Sequence, residues 1–269
     1  MKISKTQIKN LQEKIFSYYD LHGRDLPWRH TSDPYKILLS ELMLQQTQVS
    51  RVIEYYKKWT TSWPTITHLA QATRKEVLQA WMGLGYNTRG LNLHKASQII
   101  VRQFHGDVLK AMQHYKQIPG VGKYTSQAVL IFSSNVDSVT VDTNIRRIFI
   151  HEFKLRPDVT DAVIWDIAQQ CLPLGHSRKW HNALMDYGAL VLTSKKTGIQ
   201  PKTTQSSFEG SDRQIRAQVL RQLLEKPRCF HDLKESYDVE TERLEKILEK
   251  MIQQSIIRKE QTMYYLKES

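Results

Sequence analysis

The fold of this chain is decided by one short stretch between two helical patterns, Ile118-Pro119-Gly120-Val121-Gly122-Lys123-Tyr124-Thr125. Gly120 and Gly122 permit a tight turn and a close approach of the bare backbone to a ligand. The N–H groups at the start of the second helix would then face outward, where they and the helix dipole favour an anion such as a phosphate. A plain turn between two helices is the alternative, and the adjacent Lys123 favours the anion site.

The net charge of the 269-residue chain points to the same kind of ligand. With 39 Lys and Arg against 27 Asp and Glu, the chain carries +12 at pH 7, which favours a polyanionic partner. Residues 211–269 hold 12 basic and 11 acidic side chains, so nearly all of the excess lies upstream. Charge and turn together therefore predict that residues 1–210 bind DNA phosphates.

Composition excludes several classes of protein. A share of 40% apolar and 9% aromatic residues is globular rather than disordered, and apolar runs of about five residues are too short to span a bilayer. Residues 1–10 contain no apolar segment typical of a secretory signal, so we expect an intracellular, cytoplasmic protein that works near the nucleoid. Cys171 and Cys229 are too few for a disulfide framework or a four-thiolate metal site. They are predicted to be inert, buried thiols.

Helical periodicity dominates the chain upstream of residue 193, and strand-like alternation is nearly absent before residue 250. A polar stretch rich in Ser, Thr, Gly and Lys follows and reads as a linker over residues 194–210. Residues 211–269 are therefore predicted to form a second, smaller domain. The apolar stripes fall at 8–19, 37–56, 68–82, 91–104, 108–117, 124–134, 143–151, 161–170 and 178–192.

Two carboxylates stand out by their surroundings. Glu41 lies in a helical pattern whose other polar residues are mostly neutral amides, so loss of hydration should raise its pKa and suit it to general acid catalysis. A capping or solvated glutamate is the ordinary alternative. Asp142 ends an apolar run and precedes a helical pattern, which predicts a helix N-cap. An N-cap carboxylate held by backbone N–H groups stays ionised, and one protonated plus one ionised carboxyl is the pair that glycosidic bond cleavage requires.

Seven short motifs occur in order along the chain: Leu26-Pro27-Trp28-Arg29, Pro34-Tyr35-Lys36, Ser40-Glu41-Leu42-Met43-Leu44-Gln45-Gln46-Thr47-Gln48-Val49, Gly83-Leu84-Gly85-Tyr86, Pro119-Gly120-Val121-Gly122, Val141-Asp142-Thr143-Asn144 and Met185-Asp186-Tyr187-Gly188-Ala189. This order is similar to that of adenine-specific mismatch DNA glycosylases. The chain thus resembles the MutY branch of the helix-hairpin-helix glycosylase superfamily over roughly residues 5 to 193.

The resemblance implies a mainly α, two-lobed helix-hairpin-helix DNA glycosylase fold with DNA bound in the cleft between the lobes. A six-helix lobe is expected at about residues 26–135, and the other lobe from residues 1–25 and 136–193, so that the catalytic domain covers residues 1–193. The target base would be flipped out of the duplex into a pocket, as enzymes that act on a base generally require.

The resemblance also assigns roles to the catalytic residues. Glu41 matches the acid that protonates the adenine ring, and Asp142 matches the carboxylate that stabilises or transiently bonds the sugar cation. Asn144 matches a residue that orders this carboxylate and the attacking water. Tyr124 occupies the position that holds Lys in the lyase-active endonuclease III branch. A phenol cannot form a Schiff base, so base removal without efficient strand cleavage is predicted, although the neighbouring Lys123 could add weak lyase activity.

Further positions match residues that hold the base and the duplex. Structural roles in the core are the alternative for Trp28, Val49, Leu84 and Tyr86. The adenine pocket would comprise Leu26, Trp28, Arg29, Val49 and Asp186. Gln46 and Tyr86 match residues that wedge into the base stack, Thr47 and Leu84 match contacts to the base opposite, and the hairpin contributes Gly120, Val121, Gly122, Lys123 and Thr125.

The chain departs from the family pattern at three places. Most members hold an iron–sulfur cluster with four cysteines, and the corresponding positions here are Leu192, Ile199, Lys202 and Phe208. We therefore expect no 4Fe-4S cluster and no other metal site, a loop that is shortened, flexible or packed by Leu192 and Phe208, and at most a monovalent cation at the hairpin. Thr143 replaces the usual Gly, and its branched side chain restricts the backbone there. Asn87 stands where a second tyrosine is common.

The tail is too short for the Nudix-like domain of full-length members. Helical patterns at Asp212–Leu224, Phe230–Tyr237 and Glu240–Gln254, followed by strands at 255–259 and 262–266, predict a winged-helix-like domain over residues 211–269. Because its net charge is close to zero, packing against the catalytic domain is as plausible as reading a DNA groove.

The resemblance implies a monofunctional base-excision repair enzyme. Its substrate would be adenine mispaired with guanine or 8-oxoguanine in double-stranded DNA, its reaction hydrolysis of the N-glycosidic bond, and its working form a monomer away from membranes. Two alternatives stay open. Residues 28–35 and Lys123-Tyr124 also resemble the branch that removes thymine or uracil opposite guanine. A catalytically silent mismatch-binding protein is the other, which the presence of both Glu41 and Asp142 disfavours.

Overall fold

The computed structural model describes residues 2–202, 207–237 and 239–268, and within them the chain is mainly helical. The helices, in chain order, are α1 (Lys5–His22), α2 (Pro34–Leu44), α3 (Val49–Ser62), α4 (Ile66–Gln71), α5 (Arg74–Trp81), α6 (Thr88–Phe104), α7 (Val108–Gln113), α8 (Lys123–Ser134), α9 (Thr143–Glu152), α10 (Asp161–Gln170), α11 (Ser177–Leu190), α12 (Ser194–Thr197), α13 (Asp212–Glu225), α14 (Phe230–Glu235) and α15 (Thr241–Gln253). Three short strands in the tail are β1 (Arg228–Cys229), β2 (Ile257–Glu260) and β3 (Met263–Leu266). The described part of the chain has no helix that is both long and apolar enough to cross a membrane.

The chain divides into two compact units, each made of two segments. The first, here called the hairpin unit, comprises Met1–Glu41 and Val108–Thr204. The second, here called the tail unit, comprises Leu42–Asp107 and Gln205–Ser269. These boundaries differ from the predicted ones, because α8 belongs with the first unit and the tail does not stand alone.

The core of the hairpin unit is formed by one face each of α1, α9, α10 and α11. Ile15, Phe149 and Trp180 are among its fully buried side chains. Each such helix has an apolar stripe at helical spacing and must bury it against another helix. α8 packs on the same unit, where the rings of Phe132 and His181 meet edge to face with centroids 6.5 Å apart.

The core of the tail unit joins the end of the chain to α5 and α6. Leu78 and Leu91 are buried in one cluster with Ile215, Leu220 and other apolar residues of α13 and α15. The Arg74 guanidinium also donates to the backbone oxygen of Ser255. Residues of the tail therefore pack against α5 and α6, which lie in the predicted domain of residues 1–193; such packing was one of the two outcomes left open by the sequence.

Within the tail, the helices and the hairpin follow the predicted winged-helix order. β3 lies between β1 and β2 in an antiparallel sheet, with Arg228 opposite Tyr264 and Ile257 opposite Leu266. The sequence did not predict β1, which is only two residues long. α14 ends at Glu235, two residues earlier than predicted, and Asp238 lies outside the described residues.

Candidate active site

The predicted hairpin is a tight turn that leads directly into α8. Gly120 has φ of +76°, and Val121 N–H donates to the backbone oxygen of Ile118 at 3.2 Å. Gly122 precedes α8 in an extended conformation and gives the helix no side-chain cap, and no acidic side chain lies in the first turn. Because the first N–H groups of a helix have no intrahelical acceptor, this helix start is suited to an anion.

The other hairpin side chains differ in their burial. Val121 and Thr125 are buried and fix the turn to the unit, whereas Lys123 is exposed. The Lys123 ammonium lies 4.2 Å from the centre of the Trp165 ring, a cation–π distance.

Glu41 is buried in α2 and is the last residue of that helix that belongs to the hairpin unit. Its side chain is 7% exposed and accepts a hydrogen bond from the Tyr124 hydroxyl. Burial raises the pKa of Glu41 to about 7; the Tyr124 hydrogen bond opposes this rise and the charge of Asp142 adds to it. The predicted environment of a general acid is therefore present. The same burial and the two nearby carboxylates keep the pKa of Tyr124 well above its usual value, so the phenol stays protonated.

Asp142 is the N-cap of α9, as the sequence predicts. Its Oδ1 accepts from Ile145 N–H at 2.7 Å, and its Oδ2 accepts from the Asn144 side-chain amide at 3.0 Å. Burial nevertheless raises its pKa above the ordinary aspartate value, against these hydrogen bonds and the charge of Arg147. The expectation that capping alone keeps this carboxylate ionised therefore left out the cost of desolvation.

Arg147 stabilises the Asp142–Asn144 pair through a contact with Asn144. This role was not predicted from the sequence. Arg147 donates to the Asn144 side-chain oxygen at 2.6 Å and to the Gly188 backbone oxygen at 2.7 Å, and it also bonds the backbone oxygen of Leu192. A Cβ on Gly188 would lie 2.7 Å from the Cβ of Asn144. The sequence signal for Arg147 was its position three residues after Asn144, on the same face of α9.

Asp186 is fully buried beneath two arginines. Its carboxylate bonds Arg24 Nε at 2.7 Å, the backbone N–H of Arg24 at 2.8 Å, and both terminal nitrogens of Arg29 at 2.7 and 2.8 Å. Burial favours the neutral acid, but the hydrogen bonds from Arg29 and Arg24 prevail and lower its pKa. Asp186 thus positions the segment that contains Leu26 and Trp28, both buried, and its own oxygens are turned to the arginines.

The residues predicted to wedge into the base stack or to contact the opposite base lie in the tail unit, around a buried arginine, Arg89. Its guanidinium donates to the backbone oxygens of Leu42 at 2.8 Å and of Leu84 and Gly85 at 3.0 Å, and to the Thr47 hydroxyl at 3.1 Å. It therefore fixes the end of α2 to the loop at residues 83–86. Nothing in the motifs pointed to Arg89, because its role depends on contacts distant in sequence.

The two predicted wedge residues share an unusual backbone conformation. Gln46 has φ of +57° and Tyr86 has φ of +48°, and both side chains are exposed. Non-glycine residues in this region are strained and often belong to functional sites. Leu84 is buried, and Thr47 and Val49 are half-buried. The predicted catalytic residues thus meet in the hairpin unit, which also holds the predicted phosphate contacts of the hairpin, while Val49 and the predicted wedge and opposite-base residues belong to the tail unit.

The four positions that correspond to cluster cysteines do not fit an iron–sulfur cluster. Leu192 and Ile199 pack on the core of the hairpin unit, and the Lys202 ammonium pairs with Asp161 at 2.6 Å. Phe208 is 54% exposed, so it does not pack the loop as predicted. Within the described residues, no three His, Cys, Asp or Glu side chains converge as a metal site would need.

The two cysteines also differ from each other. Burial raises the pKa of Cys171 to about 12, which makes it the inert thiol that the sequence predicts. Cys229 is only half-buried and accepts from the N–H of Asp232 at the start of α14.

Taken together, the hairpin unit holds two carboxyls and a phenol in one hydrogen-bonded and charge-coupled group. A carboxyl that is protonated near neutral pH can give a proton to a leaving group. A second carboxylate beside it can stabilise positive charge on a sugar. The arrangement is therefore chemically able to break a glycosidic bond.

Comparison with known proteins agrees with this chemistry. Residues 39–170 match the model of the HhH-GPD superfamily base excision DNA repair protein family. The adenine DNA glycosylase of Mycolicibacterium smegmatis is 34% identical over 230 residues, 77% of this chain and 78% of that protein. The adenine DNA glycosylase of Buchnera aphidicola subsp. Baizongia pistaciae is 35% identical over 202 residues, 73% of this chain and 58% of that protein.

The lengths differ among these relatives. This chain spans 37 to 58% of the matched adenine DNA glycosylases of Buchnera, rat and human. Among solved structures, a thermostable thymine-DNA glycosylase has a TM-score of 0.65 and 26% identity over 71% of this chain and 90% of that chain. Fold, site geometry and sequence identity agree: the chain belongs to the adenine DNA glycosylase family of HhH-GPD base excision DNA repair proteins.

Proposed function

We propose that this protein removes adenine from duplex DNA where it is mispaired with guanine or 8-oxoguanine. The observation that carries the proposal is the buried Glu41, with a pKa of about 7, bonded to Tyr124 beside Asp142. The adenine DNA glycosylases at 30 to 35% identity support the choice of base. We further propose that the enzyme acts on the duplex DNA of the chromosome, and that it does so as a monomer.

The proposed reaction is hydrolysis of the bond between adenine and C1′ of its sugar. Protonated Glu41 gives its proton to an adenine ring nitrogen, so that the base leaves as a neutral molecule. Ionised Asp142 stabilises the positive charge that develops on the sugar, oriented by Asn144. Water adds its oxygen to C1′ and returns one proton to the carboxyl pair, which completes the cycle.

Strand cleavage is not part of the proposed reaction. Lyase chemistry needs an amine that attacks C1′ to form a Schiff base, and the corresponding side chain here is the phenol of Tyr124. The amine of Lys123 rests over Trp165, which supports its role in charge rather than in attack. The proposed enzyme uses no iron–sulfur cluster, and the hairpin is the place where a monovalent cation would bind.

The decisive experiment measures base release from defined duplexes. Duplexes with A opposite 8-oxoguanine, A opposite G, T opposite G and U opposite G are incubated with the protein and then treated with alkali to cut abasic sites. Cleavage of only the two adenine duplexes is expected. Binding without an abasic product from any duplex would instead identify a mismatch-binding protein.

Thymine or uracil opposite guanine is the second candidate substrate. The 26% identity to a thermostable thymine-DNA glycosylase is the observation that favours it. Release of thymine or uracil, with adenine left in place, would establish this function and refute the first. Strand cuts before the alkali step would refute the monofunctional reaction.

A further inference from the structure

A pocket of about 590 Å³ with both polar and apolar lining residues lies within the tail unit. Two loops within residues 42–107, including Gln46 and Tyr86, form one side, and the start of α13 with Phe208 forms the other. The tail of the chain thus supplies part of the wall of a pocket that also contains the predicted wedge residues.

The pocket has the composition of a nucleotide site. Its lining includes the guanidinium groups of Arg51, Arg213 and Arg216, and no acidic side chain is among its lining residues in the described part of the chain. Tyr86 and Phe208 are 36% and 54% exposed. Positive groups for a phosphate beside exposed aromatic rings for a base are what sequence-tolerant nucleic-acid surfaces combine.

Specific contacts connect the tail arginines to this site. Arg213 reaches the Tyr86 hydroxyl at 3.4 Å, and its guanidinium carbon lies 5.6 Å from the centre of the Tyr86 ring. Arg216 bonds the side-chain oxygen of Gln254, which also lines the pocket. Arg51 donates to the backbone oxygen of Gly83 at 3.2 Å. The arginines are thus held at the pocket by neighbours on both of its sides.

The helix that would read a groove in a winged-helix domain does not compete for this role. The apolar face of α15 is buried through Leu244, Ile247 and Met251. Three glutamates alternate with three basic residues on its remaining face. This face therefore has no net positive charge with which to attract a phosphate backbone. In the tail, the pocket at α13 is therefore the better candidate for a DNA contact.

We infer that this pocket binds a nucleotide of the substrate duplex, with its phosphate on Arg213 and Arg216 and its base against Phe208. The tail then belongs to the DNA-binding surface, in addition to packing on α5 and α6. The inference rests on the proposed function for the nature of the substrate. It assigns to the tail a direct contact with DNA rather than a recruiting role.

Binding measured against salt tests the inference. Duplex containing A opposite 8-oxoguanine is titrated with the full-length protein at several salt concentrations. Arg213→Gln and Arg216→Gln should each weaken binding and reduce the slope of log affinity against log salt by about one. Phe208→Ala should weaken binding by roughly tenfold without changing the slope, because stacking carries no charge.

Matched variants control for folding and for charge in general. Arg221→Gln removes an exposed arginine from the same helix outside the pocket, and its slope should equal that of the unmodified protein. Arg213→Lys should keep the slope. The inference would be overturned if the unmodified protein releases adenine but both Arg213→Gln and Arg216→Gln bind duplex with its affinity and its salt slope. Weakened binding in these variants, with no base released by the unmodified protein, would instead refute only the proposed function.

Discussion

Glu41 is the side chain on which the proposed chemistry depends most. Because it acts as an acid, it must be protonated, and its pKa of about 7 makes the protonated form abundant below neutrality. Adenine release under single turnover should therefore be flat between the pKa of Asp142 and pH 7, and should fall about tenfold per pH unit above pH 7. Glu41→Gln should lower the rate by roughly 10²- to 10⁴-fold below pH 7, and the difference should shrink above pH 7 as Glu41 itself loses its proton.

The pH profile separates this role from a structural one. Asp142 also has a raised pKa, so the acidic limb should lie at higher pH than for an ordinary aspartate. Duplex binding by Glu41→Gln should stay close to that of the unmodified protein, because the amide keeps the shape of the side chain. A profile without a fall above neutrality, or near-normal release by this variant, would remove Glu41 from the mechanism.

Asp142 has two roles that a pair of substitutions can separate. Asparagine is as good an N-cap as aspartate, so Asp142→Asn should keep the stability of α9 but lose base release, since the charge is gone. Asp142→Ala should lose base release and also about 1 kcal/mol of stability with the cap. Thermal unfolding and base release measured on both variants check this, and normal turnover by Asp142→Asn would exclude the charged role.

Tyr124 determines that the proposed reaction stops at base removal. Replacing the phenol by an amine, as Tyr124→Lys, should create strand cleavage without alkali and a covalent adduct with DNA that borohydride traps. Lys123→Ala is the control, because its amine lies over Trp165 and should contribute no cleavage. Strand cleavage by the unmodified protein that disappears in Lys123→Ala would show instead that Lys123 supplies the amine for cleavage.

Individual residues differ in how far the sequence revealed them. Glu41 and Asp142 were predictable because local pattern determines the burial of one and the cap of the other. Arg89 and Arg147 were not, since each serves backbone oxygens that are distant in sequence. Asp186 was found by its motif, but only its four hydrogen bonds to Arg24 and Arg29 show that it positions a loop.

The packing of α11 on the start of α9 depends on one glycine. A methyl at Gly188 would lie 2.7 Å from the Cβ of Asn144, which is closer than such atoms normally approach. Gly188→Ala should therefore cost about 1 to 3 kcal/mol of unfolding free energy and, by moving Asn144 away from Asp142, slow base release.

Gly122 offers the matched comparison at the start of α8. A Cβ there meets nothing within 4 Å, and φ of −98° suits any residue. Gly122→Ala should leave the free energy of unfolding unchanged within about 0.5 kcal/mol yet bind duplex less tightly, because the methyl group would intrude on the helix start that we propose as a phosphate site. Equal melting temperatures for Gly188→Ala and the unmodified protein would contradict the packing argument.

The helices also show where periodicity is insufficient. The stripe over residues 68–82 predicted one helix, but the structure has α4 and α5 with a break before Thr73. Thr73 and Glu76 form a reciprocal capping box, a helix start that the Thr-x-x-Glu spacing could have revealed. β1 gave no such signal, because two residues are too few for any alternation and it forms only by pairing with β3.

For the chain as a whole, the distribution of charge was predictable and the division into units was not. A count along the sequence places nearly all of the net positive charge upstream of residue 211. The units, however, each combine two distant segments, because Leu78 and Leu91 share their core with Leu220. A polar linker predicts where a chain can be divided, but only packing shows whether the parts fold separately.

This shared core leads to a prediction about cooperativity. Leu220→Ala in the tail should destabilise the entire tail unit by about 2 to 5 kcal/mol, because the cavity opens in the core that Leu220 shares with Leu78 and Leu91. Hydrogen exchange should therefore accelerate at the amides of α6 as well as at those of α13. Leu21→Ala, at an exposed position of the hairpin unit, is the control and should change neither helix.

An independent tail would behave differently. Exchange would then accelerate in α13 and α15 alone, and calorimetry would show a separate transition that moves with Leu220→Ala while α6 keeps its protection. Joint acceleration means that the loop of Tyr86, which precedes α6 directly, is stabilised by the tail that contacts it through Arg213. Loss of the tail core should accordingly weaken duplex binding even in variants whose catalytic carboxyls are intact.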